Sequence, residues 1–176
     1  MFKRKGPAAP KPADKSPLGE PVDIATIREP LLHQAMAVWN EHRGAARFPP
    51  REAMTPRAMA PFLRNVVLVR VVEGGKDYEF RIVGDAIVQV QGGAFQGLTL
   101  TDIDAKLPGY GASLRPLYDQ LVMAGEPQAY RGHVPDGPVK RAFSHETILL
   151  PLGTDAAVDH ILVVGAYAYT VNPPVA

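Results

Sequence analysis

A chain of 176 residues with 46% hydrophobic residues has enough apolar material for one core of ordinary size, and 19 Lys plus Arg against 18 Asp plus Glu leave a net charge of +1. That balance gives a polyanion nothing to bind, so nucleic acid is not an expected partner. With no cysteine in the chain, disulfides, thiolate metal sites, Cys nucleophiles and cysteinyl chromophore adducts are excluded together.

The N-terminal stretch MFKRKGPAAPKPADKSPLGEP is positively charged but leads into no apolar h-region, and no apolar run in the chain approaches membrane-spanning length. A cytoplasmic protein without membrane contact is therefore expected. Residues 1–22 are rich in Pro, Lys, Ala and Gly and bury too little to offset the entropy of ordering, so they read as a disordered tail. A helical segment over 23–64 follows. Its main element, EPLLHQAMAVWNEHRG, places Pro30 in the first turn, Leu32, Ala35, Met36 and Trp39 on one stripe, Arg43 in the last turn and Gly44 as a stop. Thr55 and Pro56 then read as the cap and first turn of one or two helical turns that end near Leu63.

The remaining domain, 65–170, opens with the β-branched run NVVLVRVV, the turn EGGKD and the returning strand YEFRIV, an antiparallel hairpin. Past Gly84, DAIVQVQ reads as a short helix with Asp85 as its cap and the glycines at 92 and 93 as its end. One helical turn is expected near 102–106 and a longer amphipathic helix over about 111–124, carrying Leu114, Leu117, Tyr118, Leu121 and Val122. Three strands complete the chain: PQAYRGHV, a turn at PDGP, VKRAFSHETILLPL, a loop at GTDAA, and VDHILVVGAYAYTV. The order predicts an α+β domain, one five-stranded antiparallel sheet with a helical crossover on one face and an N-terminal amphipathic helix. Because NVVLVRVV and HILVVGAYAY are apolar on both sides, the second sheet face also needs cover. The helix over 30–43 is expected to supply it and, through Leu32, Met36 and Trp39, to contribute to a homodimer contact.

Two hairpin strands, a helical crossover and three further strands follow the order of the PAS fold. "GGAFQGLTLTDI" (92–103) resembles the stretch that precedes the long PAS helix, and "ETILLPLGTDAAVDHILVVGAY" (146–167) resembles the PAS C-terminal hairpin. Asp155 is followed by Ala156 and Ala157, where PAS turns usually place a glycine. A closer resemblance, over roughly residues 31–170, is to the stand-alone PAS-like proteins of alphaproteobacteria, the PAS_5 family. It is carried by Trp39 with Arg43-Gly44, Pro50-Arg51 with Pro56, "FLRNVVLVRV", "YEFRIVGDAIV", Gly97, "GEP" (125–127) and "LLPL" (149–152).

The resemblance implies a sensory or regulatory adaptor, not an enzyme, whose output passes to a signalling partner or through its own oligomerisation. Its cofactor is unknown: a cysteinyl flavin adduct is excluded, and haem is not expected because GASLRPLYDQLVMAG has no histidine, which leaves only His133, His145 or His160 on strands. The candidate pocket lies between the sheet and the crossover helices, with Phe80, Arg81, Phe95, Leu114, Tyr118, His145 and Glu146 as candidate ligand-binding residues. His145 and Glu146 are adjacent in a strand and must face opposite sides, so only one of them points toward the helices. Arg70 or Arg81 is read either as a clamp for an anionic group on a ligand or as the partner of Glu146 in a buried ion pair. No metal site is expected, because the histidines are scattered and Asp102 and Asp104 lack ligand spacing. Two alternatives stand beside the sensor. One is an interaction module without a ligand. The other is a small enzyme in which Asp102, Asp104 or Glu146 is a general base beside Tyr118 or Tyr167.

Overall fold

The computed structural model describes residues 16–134 and 143–169. After a three-residue strand, β1 (Glu20–Val22), comes helix α1 (Pro30–Arg43), which begins at its proline and ends on Gly44 at φ 54°. The region expected to form a turn or two of helix after Thr55 is a series of turns closing in a 3-10 turn at Leu63–Asn65. Thr55 does cap it, accepting from the Ala58 N–H at 3.1 Å. Pro61, which has no N–H to continue the ladder, stops regular helix from propagating.

The hairpin follows as β2 (Val66–Val72) and β3 (Asp77–Val83), joined by a 3-10 turn at Glu73–Gly75. Helix α2 (Asp85–Gln91) starts immediately, with Gly84 rather than Asp85 at the cap position. A Cβ on Gly84 would lie 2.2 Å from the Arg64 carbonyl oxygen and 2.7 Å from that of Leu63, so only glycine lets the chain leave the sheet here. Asp85 instead faces Arg64, at 2.9 Å. Helix α3 (Leu100–Lys106) is longer than the single turn expected, because Thr99 and Asp102 form a capping box. Helix α4 (Tyr110–Ala124) closes on Gly125 in the left-handed region.

The chain then returns as β4 (Gln128–Val134), β5 (Phe143–Thr154) and β6 (Ala157–Tyr169); the turn expected at PDGP lies outside the described residues. Without a glycine after Asp155, β5 and β6 still join tightly, pairing Thr154 with Ala157, and the register shift falls at Leu152/Gly153. The sheet is antiparallel in the order β1-β4-β5-β6-β2-β3. The five strands expected are present, and β1 adds a sixth from a stretch whose Pro-Gly composition pointed to tail.

Strand alternation sorts the core into two layers. On one face Val67, Val69, Tyr78, Phe80, Leu149, Ile161 and Val163 meet Ile87 of α2, Leu100 and Ile103 of α3, and Leu114, Tyr118 and Leu121 of α4. On the other, Val66, Leu68, Ile148, Leu150, Leu152, Leu162 and Val164 meet Leu32, Ala35 and Trp39 of α1 together with Phe48, Met54, Met59 and Phe62. The helix expected to cover the second sheet face does so: Leu32 and Trp39 are buried, and Met36 is half-buried against the same layer.

The segment before α1 laces the two layers together. Leu18 packs with the helix-side layer, β1 pairs with β4 at the sheet edge, and Val22, Ile24 and Ile27 pack on the opposite layer. Gly19, at φ 79°, makes the crossing possible, since a Cβ there would lie 2.6 Å from the Cα of Gly132.

Candidate functional site

Between the helix-facing side of the sheet and α2 to α4 lies a cavity of about 220 Å³. Its sheet wall is Val67, Phe80, Val163, Tyr167, Phe143, His145 and Thr147, and its roof is Ile87, Val90 and Gln91 of α2 with Tyr110, Leu114 and Tyr118 of α4. Phe95 and Leu107 close it from the connecting loops, and Pro17 and Leu18 reach it from the laced N-terminal segment. The expected residues Phe80, Phe95, Leu114, Tyr118 and His145 are thus brought together. Arg81 and Glu146 are not.

His145 and Glu146 separate as alternation requires. The side chain of His145 enters the cavity wall, where Nδ1 lies 3.3 Å from the Thr147 hydroxyl and the ring is tilted against Tyr167 with centroids 6.0 Å apart. Gly132 on the neighbouring strand gives it room, since a Cβ at that position would lie 2.6 Å from His145 Nε2. Burial pushes the imidazole pKa down, so the group stays neutral at neutral pH.

Glu146 points to the opposite face and does structural work. Its carboxylate accepts from the backbone N–H groups of Arg28 and Glu29, both at 2.9 Å, and from Arg131 Nε at 2.9 Å, while the Arg131 guanidinium also donates to the Thr26 carbonyl at 2.8 Å. The ion-pair partner is therefore Arg131 on the adjacent strand, not Arg70 or Arg81. Those two arginines both hold Glu79, at 2.6 and 2.9 Å, on the exposed side of β2 and β3, away from the cavity.

Among the described residues, the polar groups that do reach the cavity are uncharged. Burial raises the pKa of Tyr110, with a bond from Gln91 opposing it, and raises those of Tyr118 and Tyr167, each reinforced by neighbouring tyrosines. All three remain phenols at physiological pH. Gln91 Nε2 donates to the Tyr110 hydroxyl at 3.3 Å, whereas Gln91 Oε1 is buried without a hydrogen-bond partner among the described residues. Sequence reasoning had not singled out Gln91, Tyr110 or Phe143; the one available signal was a glutamine closing the otherwise apolar face of DAIVQVQ.

The three carboxylates considered as general bases are occupied elsewhere. Asp102 accepts from the Thr99 N–H and hydroxyl at 2.9 and 3.0 Å, Asp104 accepts from the Ala112 N–H at 3.1 Å, and Glu146 is on the far face. Among the described residues no group of three or more His, Cys, Asp or Glu side chains is arranged to hold a metal ion, and no helix is long and apolar enough to cross a membrane. His133 and His160 do not line the cavity, which leaves His145 as the only histidine among its described lining residues.

The arrangement is that of a small, partly open volume with apolar and aromatic walls, neutral donors and acceptors among the described residues, and a helical roof. Such a site can hold an organic molecule by apolar contact and a few directed hydrogen bonds. A family model described as PAS domain matches residues 27–168. No curated protein and no solved structure matches the chain.

Proposed function

Because the chain belongs to the PAS domain family, we propose that it is a non-catalytic sensory protein, signalled by a small organic molecule held between the sheet and the helical crossover. Membership itself suggests a sensory or regulatory role; the choice of signal is carried by the cavity of about 220 Å³, whose lining among the described residues contains no Asp, Glu, Lys or Arg. The carboxylates weighed as general bases, Asp102, Asp104 and Glu146, are engaged away from the cavity, and the tyrosines of the described lining, with raised pKa values, stay phenols.

Occupancy becomes a signal only if the molecule binds one arrangement of the roof better than another. The roof is suited to this. Helix α2 is short and bounded by Gly84 and Gly92, so it is tied to the rest of the fold mainly by the side chains it turns inward, Ile87 and Val90. The output in this reading passes to a protein partner that recognises the outer surface of the helices.

Mass spectrometry of protein purified from its own host tests the reading. The wild type is expected to carry a non-covalent mass excess that disappears on denaturation. The variant Val163→Phe, which fills the cavity from the sheet side, is expected to lose it while still melting cooperatively. A clean polypeptide mass for the wild type would overturn the ligand and leave a module whose only signal is another protein.

A further inference from the structure

The chemistry of the cavity also selects what enters it. Resting on the reading that the cavity holds a ligand, we infer that this ligand is an uncharged aromatic molecule bearing one hydroxyl, captured by the amide of Gln91. Three observations carry the inference. Among the described residues the lining has no ionised side chain, and against that lining a charged ligand would surrender its hydration with no counter-charge in return. The rings of Phe80, Phe95, Tyr118 and Phe143 share the walls with aliphatic side chains such as Val67 and Leu114, around a volume of about 220 Å³, larger than the roughly 150 Å³ apolar cavity that takes up benzene. One or two fused rings suit that space.

The third observation fixes the polar group. Gln91 Oε1 is a buried acceptor without a partner among the described residues, on a side chain that lines the cavity, and buried acceptors in folded proteins are nearly always satisfied. Turning the amide over would let Tyr110 donate to Oε1 but would strand Nε2 in its place, so one end of the amide stays open in either orientation. A hydroxyl answers both, because it donates to an oxygen and accepts from an N–H.

The test is a ¹H–¹⁵N titration of the full chain with p-cresol, toluene and benzoate. p-Cresol is expected to shift the amides of Phe80, Gln91 and Val163 and to bind about tenfold more tightly than toluene, as one buried hydrogen bond requires. Benzoate is expected to leave the spectrum unchanged. Gln91→Leu is expected to bring p-cresol and toluene to equal affinity. Equal affinity in the wild type, a preference that survives Gln91→Leu, or tighter binding of benzoate would overturn the assignment of ligand class while the cavity remains a binding site. If none of the three shifts a cavity amide, the cavity reading falls together with it.

Discussion

Replacing Trp39 with alanine is expected to destabilise the fold by about 3–5 kcal/mol, as removal of a large core aromatic does. For a domain of this size that lowers the melting temperature by about 10 °C or more. The indole is 3% exposed, lies in the layer between α1 and the sheet, and donates from Nε1 to the Pro151 carbonyl at 2.9 Å. Truncation therefore opens a void between α1 and the sheet and leaves a carbonyl of β5 unpaired in the same place. Trp39→Phe, which keeps most of the packing and loses only the hydrogen bond, is expected to fall between the two. A thermal melt is sufficient to decide it. If Trp39→Ala melts within a few degrees of the wild type, α1 is not held on the sheet as described.

Glu146→Ala is the second large effect, expected at about 3 kcal/mol, because it leaves Arg131 and the N–H groups of Arg28 and Glu29 without their common acceptor. The glutamate side chain is 7% exposed but Arg131 is 31% exposed, so the lower end of the range for breaking a buried pair applies. Burial alone would raise the Glu146 pKa; the bonds from Arg131 and from the Arg28 and Glu29 N–H groups outweigh it, and the net direction is down. The native state thus binds its proton less readily than the unfolded chain. The carboxylate's contribution is full above the ordinary glutamate range and is lost as pH falls through the lowered native value. Urea midpoints measured from pH 7 downward are expected to fall more steeply below about pH 4.5 in the wild type than in Glu146→Gln, in keeping with the ordinary glutamate value. Parallel curves for the two proteins would show that the carboxylate's charge is not what ties the N-terminal segment to the sheet.

How much of this was legible depended on whether the signal was local. The hairpin of β2 and β3 could be read from β-branched runs around EGGKD, and α1 from a proline, an apolar stripe and a glycine in order. Alternation said that His145 and Glu146 oppose each other, but a period of two carries no absolute sense. Which of them faces the helices is set by packing across the sheet. The partner of Glu146 was missed because Arg131 sits on β4, opposite Glu146 in the register, and no local sequence feature marks that pairing.

The short strand β1 was hidden by composition. PLGEPV has nothing of a strand's usual preference, and it is held by pairing with β4 and by the close approach of Gly19 to Gly132. The candidate site was half visible for the same reason. Large apolar residues in strongly patterned elements, Phe80, Leu114 and Tyr118, could be placed near the helix-facing side of the sheet. Gln91 and Tyr110 meet across two helices, 19 residues apart in sequence, and only the assembled roof brings them together.

An occupant between sheet and helices that changes the behaviour of the roof is what would make the cavity a sensor rather than a gap in the core. Amide hydrogen exchange tests this most directly, measured on protein as purified from its host and again after its small molecules have been extracted. The expected result is slower exchange in the first sample across α2 and α4, with β2 and β5 unchanged. Identical exchange in the two samples would contradict it.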